Sequence, residues 1–207
     1  MEALEAGGGG GARPSDRAAI LWRRLDLPGH EAAELRRVTD GWQLSGVAVP
    51  AESGLPCRME YIIRCDGRWR TQRCVVRGFI GRDPVMFDLA RDPADAWTAN
   101  GAPVPALAGC RDVDLGFSPS TNLLPIRRLG LSVGAAAPVR AAWVHFPQIT
   151  TEVLEQVYTR LAADRYLYES AGGIFRRELV VDAAGFVLDY PGFWIAEART
   201  GELASVT

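Results

Sequence analysis

The sequence predicts an all-β fold that is mostly antiparallel and contains little helix. Apolar residues in most segments of the 207-residue chain alternate with polar ones, and a period of two is typical of a strand with one buried face. Two turn-forming pairs, Asp66-Gly67 and Asn100-Gly101, separate neighbouring strand segments as they do in hairpins. More than ten candidate strands follow one another in this way, which indicates an antiparallel meander.

The first half of the chain supplies a regular series of candidate strands. They comprise residues 19–25, 42–49, 58–65, 69–76 and 84–89. Residues 31–39 fit either a strand or a short helix. Asp66-Gly67 predicts an antiparallel pair between the third and fourth of these strands, and Asn100-Gly101 predicts a hairpin between Trp97 and Val104.

The second half continues the pattern with one exception. Residues 139–146 alternate as a strand, and residues 178–181 and 186–190 flank a short loop that ends in glycine. Residues 150–161 instead place valine and leucine at helical spacing behind a threonine that resembles a helix cap. Taken alone, this segment is predicted to be a helix.

A central motif, residues 109–129, is the richest stretch in turn-forming and charged residues. Its sequence is GCRDVDLGFSPSTNLLPIRRL. Asp112 and Asp114 alternate with Val113 and Leu115, so an extended strand would direct the two carboxylates to one face. Serine, proline, threonine and asparagine then predict a structured loop. After Pro125 we expect a second extended segment, residues 126–129.

The charges of the central motif allow two interpretations. Two aspartates, Asp112 and Asp114, and two arginines, Arg127 and Arg128, lie close together in sequence. Arginine and carboxylate can form bidentate pairs with exacting geometry. Such a set could hold the loop rigid or could bind a polar ligand.

Composition excludes several classes of protein. The chain is 48% hydrophobic and 23% charged, which is typical of a globular protein with a sizeable core. Its formal net charge of −2 makes a nucleic-acid partner unlikely on electrostatic grounds. Because it has no apolar run long enough to span a bilayer and no secretory signal, we expect a cytoplasmic protein that is not integral to a membrane.

The predicted domain organisation is simple. Residues 1–15 contain an unbroken run of five glycines, Gly7 to Gly11, which predicts a disordered N-terminal tail. Residues 16–200 are expected to form one domain, followed by a C-terminal tail of residues 201–207. The four cysteines lack metal-ligand spacing, so we expect them to be reduced and buried, and we expect neither a metal nor a cofactor.

The motifs of common enzyme classes are missing from the sequence. It contains no H-E-x-x-H, G-x-S-x-G, Walker loop or G-x-G-x-x-G, and Ser118 lacks the second glycine of a nucleophile elbow. The remaining enzymatic hypothesis is a hydrolase or transferase that uses the Asp112/Asp114 pair. The sequence favours a binding protein over this alternative, because a curved sheet rich in tryptophan and tyrosine can enclose an apolar ligand.

The central motif resembles the hallmark of a bacterial family called putative glycolipid-binding proteins. Further similarities are Gly41-Trp42-x-Leu44-x-Gly46, Phe146-Pro147, Gln156-x-Tyr158, Tyr166-x-Tyr168-Glu169-Ser170 and the pattern over residues 181–192, so that the resemblance covers residues 22–194. It implies a single domain with a many-stranded spiral β-roll, or incomplete barrel. It also implies that residues 150–161 are extended, and we adopt that prediction over the helix.

The resemblance further implies non-catalytic binding of a lipid-like or glycolipid ligand in a cavity or groove of the curved sheet. Combined with the charge pattern, it gives a set of candidate ligand-binding residues: Asp112, Asp114, Ser118, Thr121, Asn122, Arg127, Arg128, Trp143, Gln156, Tyr158 and Tyr190. The charged and amide side chains are expected beside the polar head. The alternatives are the enzyme above and a structural or protein-interaction domain with a filled core; the sequence leaves the oligomeric state open.

Overall fold

The computed structural model of the protein describes residues 16–200. The two predicted tails, residues 1–15 and 201–207, lie outside the described residues. Within the described range the chain is built almost entirely from strands, as the sequence predicts. No helix in residues 16–200 is long and apolar enough to cross a membrane.

Sixteen strands and one short α-helix are formed by the described residues. The strands are β1 (Arg17–Arg24), β2 (His30–Val38), β3 (Gly41–Ala48), β4 (Ala51–Glu52), β5 (Leu55–Asp66), β6 (Thr71–Ile80), β7 (Asp83–Arg91), β8 (Trp97–Ala99), β9 (Ala102–Pro103), β10 (Asp112–Leu115), β11 (Ala136–Val144), β12 (Thr151–Ala162), β13 (Arg165–Ser170), β14 (Phe175–Val181), β15 (Val187–Tyr190) and β16 (Trp194–Thr200). The helix α1 spans Leu123–Leu129, and short 3-10 turns occupy Pro105–Leu107, Ser120–Asn122 and Ala171–Gly173.

The strands form one continuous, rolled sheet that is not closed into a barrel. Its order is β10-β11-β12-β13-β14-β15-β16-β1-β2-β3-β5-β6-β7-β8-β9, with β4 paired to β5 alone. Every pairing is antiparallel except that of β10 with β11. The two edge strands, β9 and β10, are separated in the chain only by residues 104–111, so the two edges of the sheet must lie near each other. The all-β, incompletely closed fold is therefore confirmed.

The hairpin predictions hold, with one difference in the loop. Asn100 and Gly101 have φ values of 49° and 81°, as a two-residue turn with two left-handed positions requires. β5 and β6 also pair antiparallel, but their loop is longer than Asp66-Gly67 and its left-handed residue is Trp69, with φ 65°. The Asp66 carboxylate accepts backbone N–H groups of Arg68 and Arg70, both at 2.9 Å, so β6 begins only at Thr71.

Residues 126–129 were predicted to be extended, and this prediction is wrong. They belong to α1, in which Pro125 occupies the first turn. Backbone N–H groups of the first turn have no acceptor within the helix, so proline is tolerated there. The helix ends at Gly130, whose left-handed conformation (φ 51°) and N–H bond to Ile126 form its C-terminal cap.

The segment with helical spacing, residues 150–161, is strand β12. Residues 151–159 of this strand pair with β11 and residues 156–162 pair with β13, so it has a hydrogen-bonded neighbour on each edge. Val157 and Leu161 remain substantially exposed, and the helical stripe is therefore not the buried face. The resemblance predicted this segment correctly where periodicity alone did not.

The core of the roll contains side chains of the central motif and of α1. The central motif and α1 lie inside the curved sheet, where Phe117, Leu123 and Leu124 join the main core with Trp22 and Tyr61. The four cysteines are buried and unbridged, as expected. The residues of the central motif are thereby fixed against strands from both halves of the chain.

Candidate ligand-binding site

The side chains of strand β10 point alternately to two faces of the sheet. Val113 and Leu115 are buried in the main core, while Asp112 and Asp114 point to the opposite face of the strand. The alternation predicted from the sequence is therefore present. The two carboxylates nevertheless have different partners and different surroundings.

Asp112 is clamped to helix α1 by Arg128. The Arg128 guanidinium donates from Nε to Asp112 Oδ1 at 2.9 Å and from Nη2 to Oδ2 at 2.5 Å. The Asp112 side chain is 1% exposed. Burial raises the pKa of the Asp112 carboxyl, and the Arg128 pair opposes that rise. This pair joins β10 to α1 and does not line the pocket described below.

Asp114 lies at a pocket of about 370 Å³. Its Oδ2 accepts a hydrogen bond from Gln156 Nε2 at 2.7 Å, and Gln156 also donates to the Tyr168 hydroxyl at 3.1 Å. Burial raises the pKa of Asp114 to about 6, with the nearby charge of Asp112 acting in the same direction and the Gln156 hydrogen bond against it. The carboxyl is thus positioned by a buried amide and titrates close to neutrality. We call this space the Asp114 pocket.

Aromatic side chains form much of the wall of the Asp114 pocket. They are Trp143, Tyr168, Phe175, Tyr190, Phe193 and Trp194. Several contact one another edge to face, with ring centroids 5.4 Å apart for Tyr190 and Phe193 and 6.3 Å apart for Tyr168 and Tyr190. The Arg177 guanidinium lies over both Phe175 and Phe193, at 4.7 and 5.4 Å from their centroids. Tyr168, Phe175, Tyr190 and Phe193 therefore form one contiguous aromatic cluster.

Ser118 connects this pocket with a buried polar cluster. Its hydroxyl donates to Glu31 Oε1 at 2.6 Å and lies 2.7 Å from the Ser120 hydroxyl. Tyr61 donates its hydroxyl to the same Glu31 oxygen, also at 2.6 Å. Burial raises the pKa of Glu31 to about 7, although the hydrogen bonds from Ser118 and Tyr61 oppose the rise. Ser118 lines the pocket together with Asp114 and also hydrogen-bonds Glu31. The central motif therefore connects the Asp114 pocket with the buried Glu31 cluster.

The structure brings five of the eleven predicted residues to the pocket wall. They are Asp114, Ser118, Asn122, Trp143 and Tyr190. Two more support them from behind, since Gln156 holds Asp114 and the Tyr158 hydroxyl donates to Asn122 Oδ1 at 2.8 Å.

The other four predicted residues lie elsewhere. Asp112 and Arg128 pair with each other, and Thr121 accepts the backbone N–H of Leu115 at 3.2 Å. The Arg127 guanidinium lies over the Trp69 ring, 4.9 Å from its centroid. In the described structure these four side chains stabilise the motif and do not line the pocket.

Sequence reasoning missed Glu31 and the aromatic residues on β14 and β16. A signal for Glu31 existed, because it alternates in β2 with exposed positions and shares its face with buried Ala33 and Leu35. No such signal marked Phe175 or Trp194, which reach the pocket only through the order of the strands.

The described side chains include no group suited to a metal ion. Among residues 16–200, no cluster of three or more His, Cys, Asp or Glu side chains is placed to hold one. The polar groups of the pocket are instead carboxyl, amide and hydroxyl groups set among rings. They can exchange hydrogen bonds with a neutral polar ligand and pack against its apolar surfaces.

Comparisons with known proteins agree on the family. A comparison with curated proteins found no match. Among solved structures, the chain is similar to a DUF1089 family protein from Pseudomonas aeruginosa, with 33% sequence identity, a TM-score of 0.70, and coverage of 92% of this chain and 97% of that one. A family model described as Putative glycolipid-binding matches residues 19–196. The chain belongs to this family, Putative glycolipid-binding.

Proposed function

We propose that this protein binds a lipid-like or glycolipid ligand without carrying out chemistry on it, and that the sugar head of the ligand occupies the Asp114 pocket. The observation that carries this proposal is a carboxyl, fixed by a buried amide, at a pocket with aromatic walls. The family description is consistent with it.

The lining of the Asp114 pocket suits a sugar. Asp114 can accept hydrogen bonds from ring hydroxyls, while Asn122 and Ser118 offer further polar contacts. The faces of Trp143 and Tyr190 can pack against the apolar C–H surface of a sugar ring. Few other ligand classes combine several hydroxyls with an apolar face on so small a scaffold.

The rim of the pocket suits the start of an acyl chain. Phe175 and Phe193 line the pocket beside the Ala171–Gly173 turn, and the next residue, Ile174, is 90% exposed. Ile174 follows this turn and precedes Phe175, so it can extend the apolar surface of the pocket outward, and contiguous apolar surface is typical of a ligand-binding groove. A chain attached to the sugar would therefore leave the pocket along this rim.

The contacts of the Asp pair argue against the enzymatic alternative. A two-carboxylate mechanism needs both groups at the reacting bond. Here Asp112 is engaged by both donors of Arg128, and only Asp114 lines the pocket. We therefore assign Asp114 to ligand contact and the Asp112–Arg128 pair to the scaffold.

The first test is to identify what the protein carries. Native mass spectrometry and organic extraction of the purified protein are expected to yield a stoichiometric lipid or glycolipid. The second test titrates the protein with methyl β-D-glucoside and with n-octyl β-D-glucoside below its micelle concentration. Binding is followed by the change in total tryptophan fluorescence, to which Trp143 and Trp194 in the pocket wall contribute.

Two variants separate the sugar contact from the chain contact. Asp114→Asn should weaken both glucosides about tenfold, because a charge-assisted hydrogen bond is lost. Ile174→Ser should weaken only the octyl compound. Asp164→Asn, an exposed aspartate outside the pocket, is the matched control and should change neither.

Three results would contradict the proposal. One is a clean apo mass together with no binding of either glucoside. The second is equal affinity of wild type and Asp114→Asn. The third is release of free sugar from the octyl compound in a manner that depends on Asp114, which would make the protein an enzyme.

A further inference from the structure

A second open space crosses the face of the sheet that points away from the core. It is a groove of about 860 Å³ over β16, β1, β2, β3, β5 and β6. We call it the outer groove. Its apolar floor is formed by Ala19, Leu21, Ala32, Val47, Ile62 and Val75. These residues alternate along their strands with core residues, so they belong to the outer face of the roll.

The shape of the outer groove favours a thin, extended ligand. Six adjacent strands have five spacings of about 4.8 Å, which gives a length of about 24 Å across the sheet. The floor exposes branched aliphatic side chains to solvent; Val47 is 37% and Ile62 is 48% exposed. An extended acyl chain matches this length and would cover the floor.

The charge of the outer groove differs from that of the whole chain. Its lining contains four arginines and two glutamates, a surplus of two positive charges, whereas the chain has a formal net charge of −2. Both glutamates are already paired with arginines outside the lining, Glu34 with Arg17 and Glu60 with Arg58. Two of the arginines are also paired outside the lining, Arg73 with Asp88 and Arg199 with Asp182. Among the described residues, the charged side chains of the groove without an ion pair are therefore Arg64 and Arg77.

One arginine of the groove has an unfavourable position in the unliganded protein. Arg64 on β5 lies directly opposite Arg73 on β6, and like charges in this register destabilise a sheet. Asp88 pairs with Arg73 at 2.6 Å. Within residues 16–200, no carboxylate lies within ion-pair distance of Arg64. An anion at Arg64 would remove the repulsion.

We propose that the outer groove binds an anionic lipid, with its acyl chain along the apolar floor and its anionic group at Arg64. This site lies on the opposite face of the sheet from the core, and it does not depend on the Asp114 pocket. A second copy of the chain fits the groove less well, since a two-fold contact would set the same arginine surplus against itself.

The experiment uses the full chain and two probes of equal length, dodecanoate and 1-dodecanol, titrated by isothermal calorimetry. Dodecanoate should bind more tightly than dodecanol to the wild type. Ile62→Glu should weaken both probes at least about tenfold, and Arg64→Gln should weaken dodecanoate about tenfold while leaving dodecanol unchanged.

Matched controls test whether the effect belongs to the groove. Leu161→Glu changes a strand residue of similar exposure, 43%, on β12, and Arg82→Gln removes an arginine from the turn after β6. Neither should change dodecanoate binding. Asp114→Asn should also leave it unchanged, which separates this site from the proposed sugar pocket.

Three outcomes would overturn the proposal. The first is that dodecanoate does not bind the wild type. The second is that Asp114→Asn weakens dodecanoate binding and Ile62→Glu does not. The third is that Ile62→Glu converts a dimer into a monomer, measured by light scattering, without changing the affinity for dodecanoate.

Discussion

Replacing Arg128 with methionine tests whether the buried ion pair of the central motif supports the scaffold. The substitution keeps most of the side-chain volume and leaves the Asp112 carboxyl, 1% exposed, without its partner. Breaking a buried pair by removing one member costs about 3–5 kcal/mol, because an uncompensated charge remains. We expect a loss of this size in the free energy of unfolding at pH 7, measured by urea denaturation.

The pH dependence of the Arg128→Met loss has a defined sign. Burial raises the pKa of Asp112 in the folded protein above its ordinary value of 3.8. Arg128 is the largest influence that opposes this rise, ahead of the charges of Arg111 and Arg91, so without it the folded state disfavours the ionised carboxyl at pH 7. The penalty should shrink as the pH falls through the folded-state pKa and the carboxyl becomes protonated.

Two control variants test whether the loss in Arg128→Met comes from the buried ion pair. Arg165→Met breaks the exposed Arg165–Glu178 pair, whose side chains are 55% and 47% exposed, and should cost less than about 1 kcal/mol. The double variant with Asp112→Asn should recover most of the Arg128→Met loss, because no unpaired ion remains. If Arg128→Met costs no more than Arg165→Met, the assignment of Arg128 to the scaffold is refuted.

Three further predictions concern titration and backbone geometry. Burial raises the pKa of Glu31 from its ordinary value of 4.5 to about 7 in the folded protein, so the free energy of unfolding should fall by about 3 kcal/mol as the pH rises across this interval; urea denaturation of Glu31→Gln should lack that component. Binding of methyl β-D-glucoside should weaken as the pH falls through about 6, where Asp114 becomes protonated; calorimetry should show no such change in Asp114→Asn. Gly78→Ala should lower the free energy of unfolding by more than about 2 kcal/mol, since its Cβ would lie 1.7 Å from the Arg58 carbonyl oxygen at a φ of 152°, while Gly67→Ala, with open space around its Cβ, should be nearly neutral; equal stabilities of these two variants would contradict the backbone argument.

Strands and tight turns were predictable because their causes are local. The Asn100-Gly101 pair adopts two left-handed conformations that most other residues resist, so the dipeptide itself specifies the hairpin. Alternation likewise identified β1, β3, β5 and β11 from a few neighbouring residues each. Local steric preferences need no knowledge of the rest of the fold.

Two segments were ambiguous because local preference and tertiary context disagree. Residues 150–161 carry helical spacing, yet hydrogen bonding to two neighbouring strands makes this segment strand β12. Pro125 suggested an extended continuation, yet it fits the first turn of α1 inside the roll. In both cases the packing partners, which lie far away in sequence, determined the conformation.

Some residues of the candidate site were predictable from the sequence and others were not. Asp114, Ser118 and Asn122 could be identified because they lie within nine residues of one another in a recognisable motif. Phe175 and Trp194 could not, because they contact the pocket only after β10 to β16 are arranged side by side. Sequence spacing likewise could not distinguish the roles of Asp112 and Asp114, which depend on whether Arg128 or Gln156 is the neighbour.

Sequence patterns were thus sufficient to predict the all-β class, most of the strands, the sharp turn at Asn100-Gly101 and the motif that contains Asp114. The pairing of β16 with β1, the packing of α1 against the core, the Asp114 pocket and the outer groove emerge only from the folded arrangement. The two sets of features differ in the range of the interactions that produce them. Alternation and turn geometry act between neighbours in the chain, whereas a rolled sheet depends on hydrogen bonds and packing between residues more than a hundred positions apart.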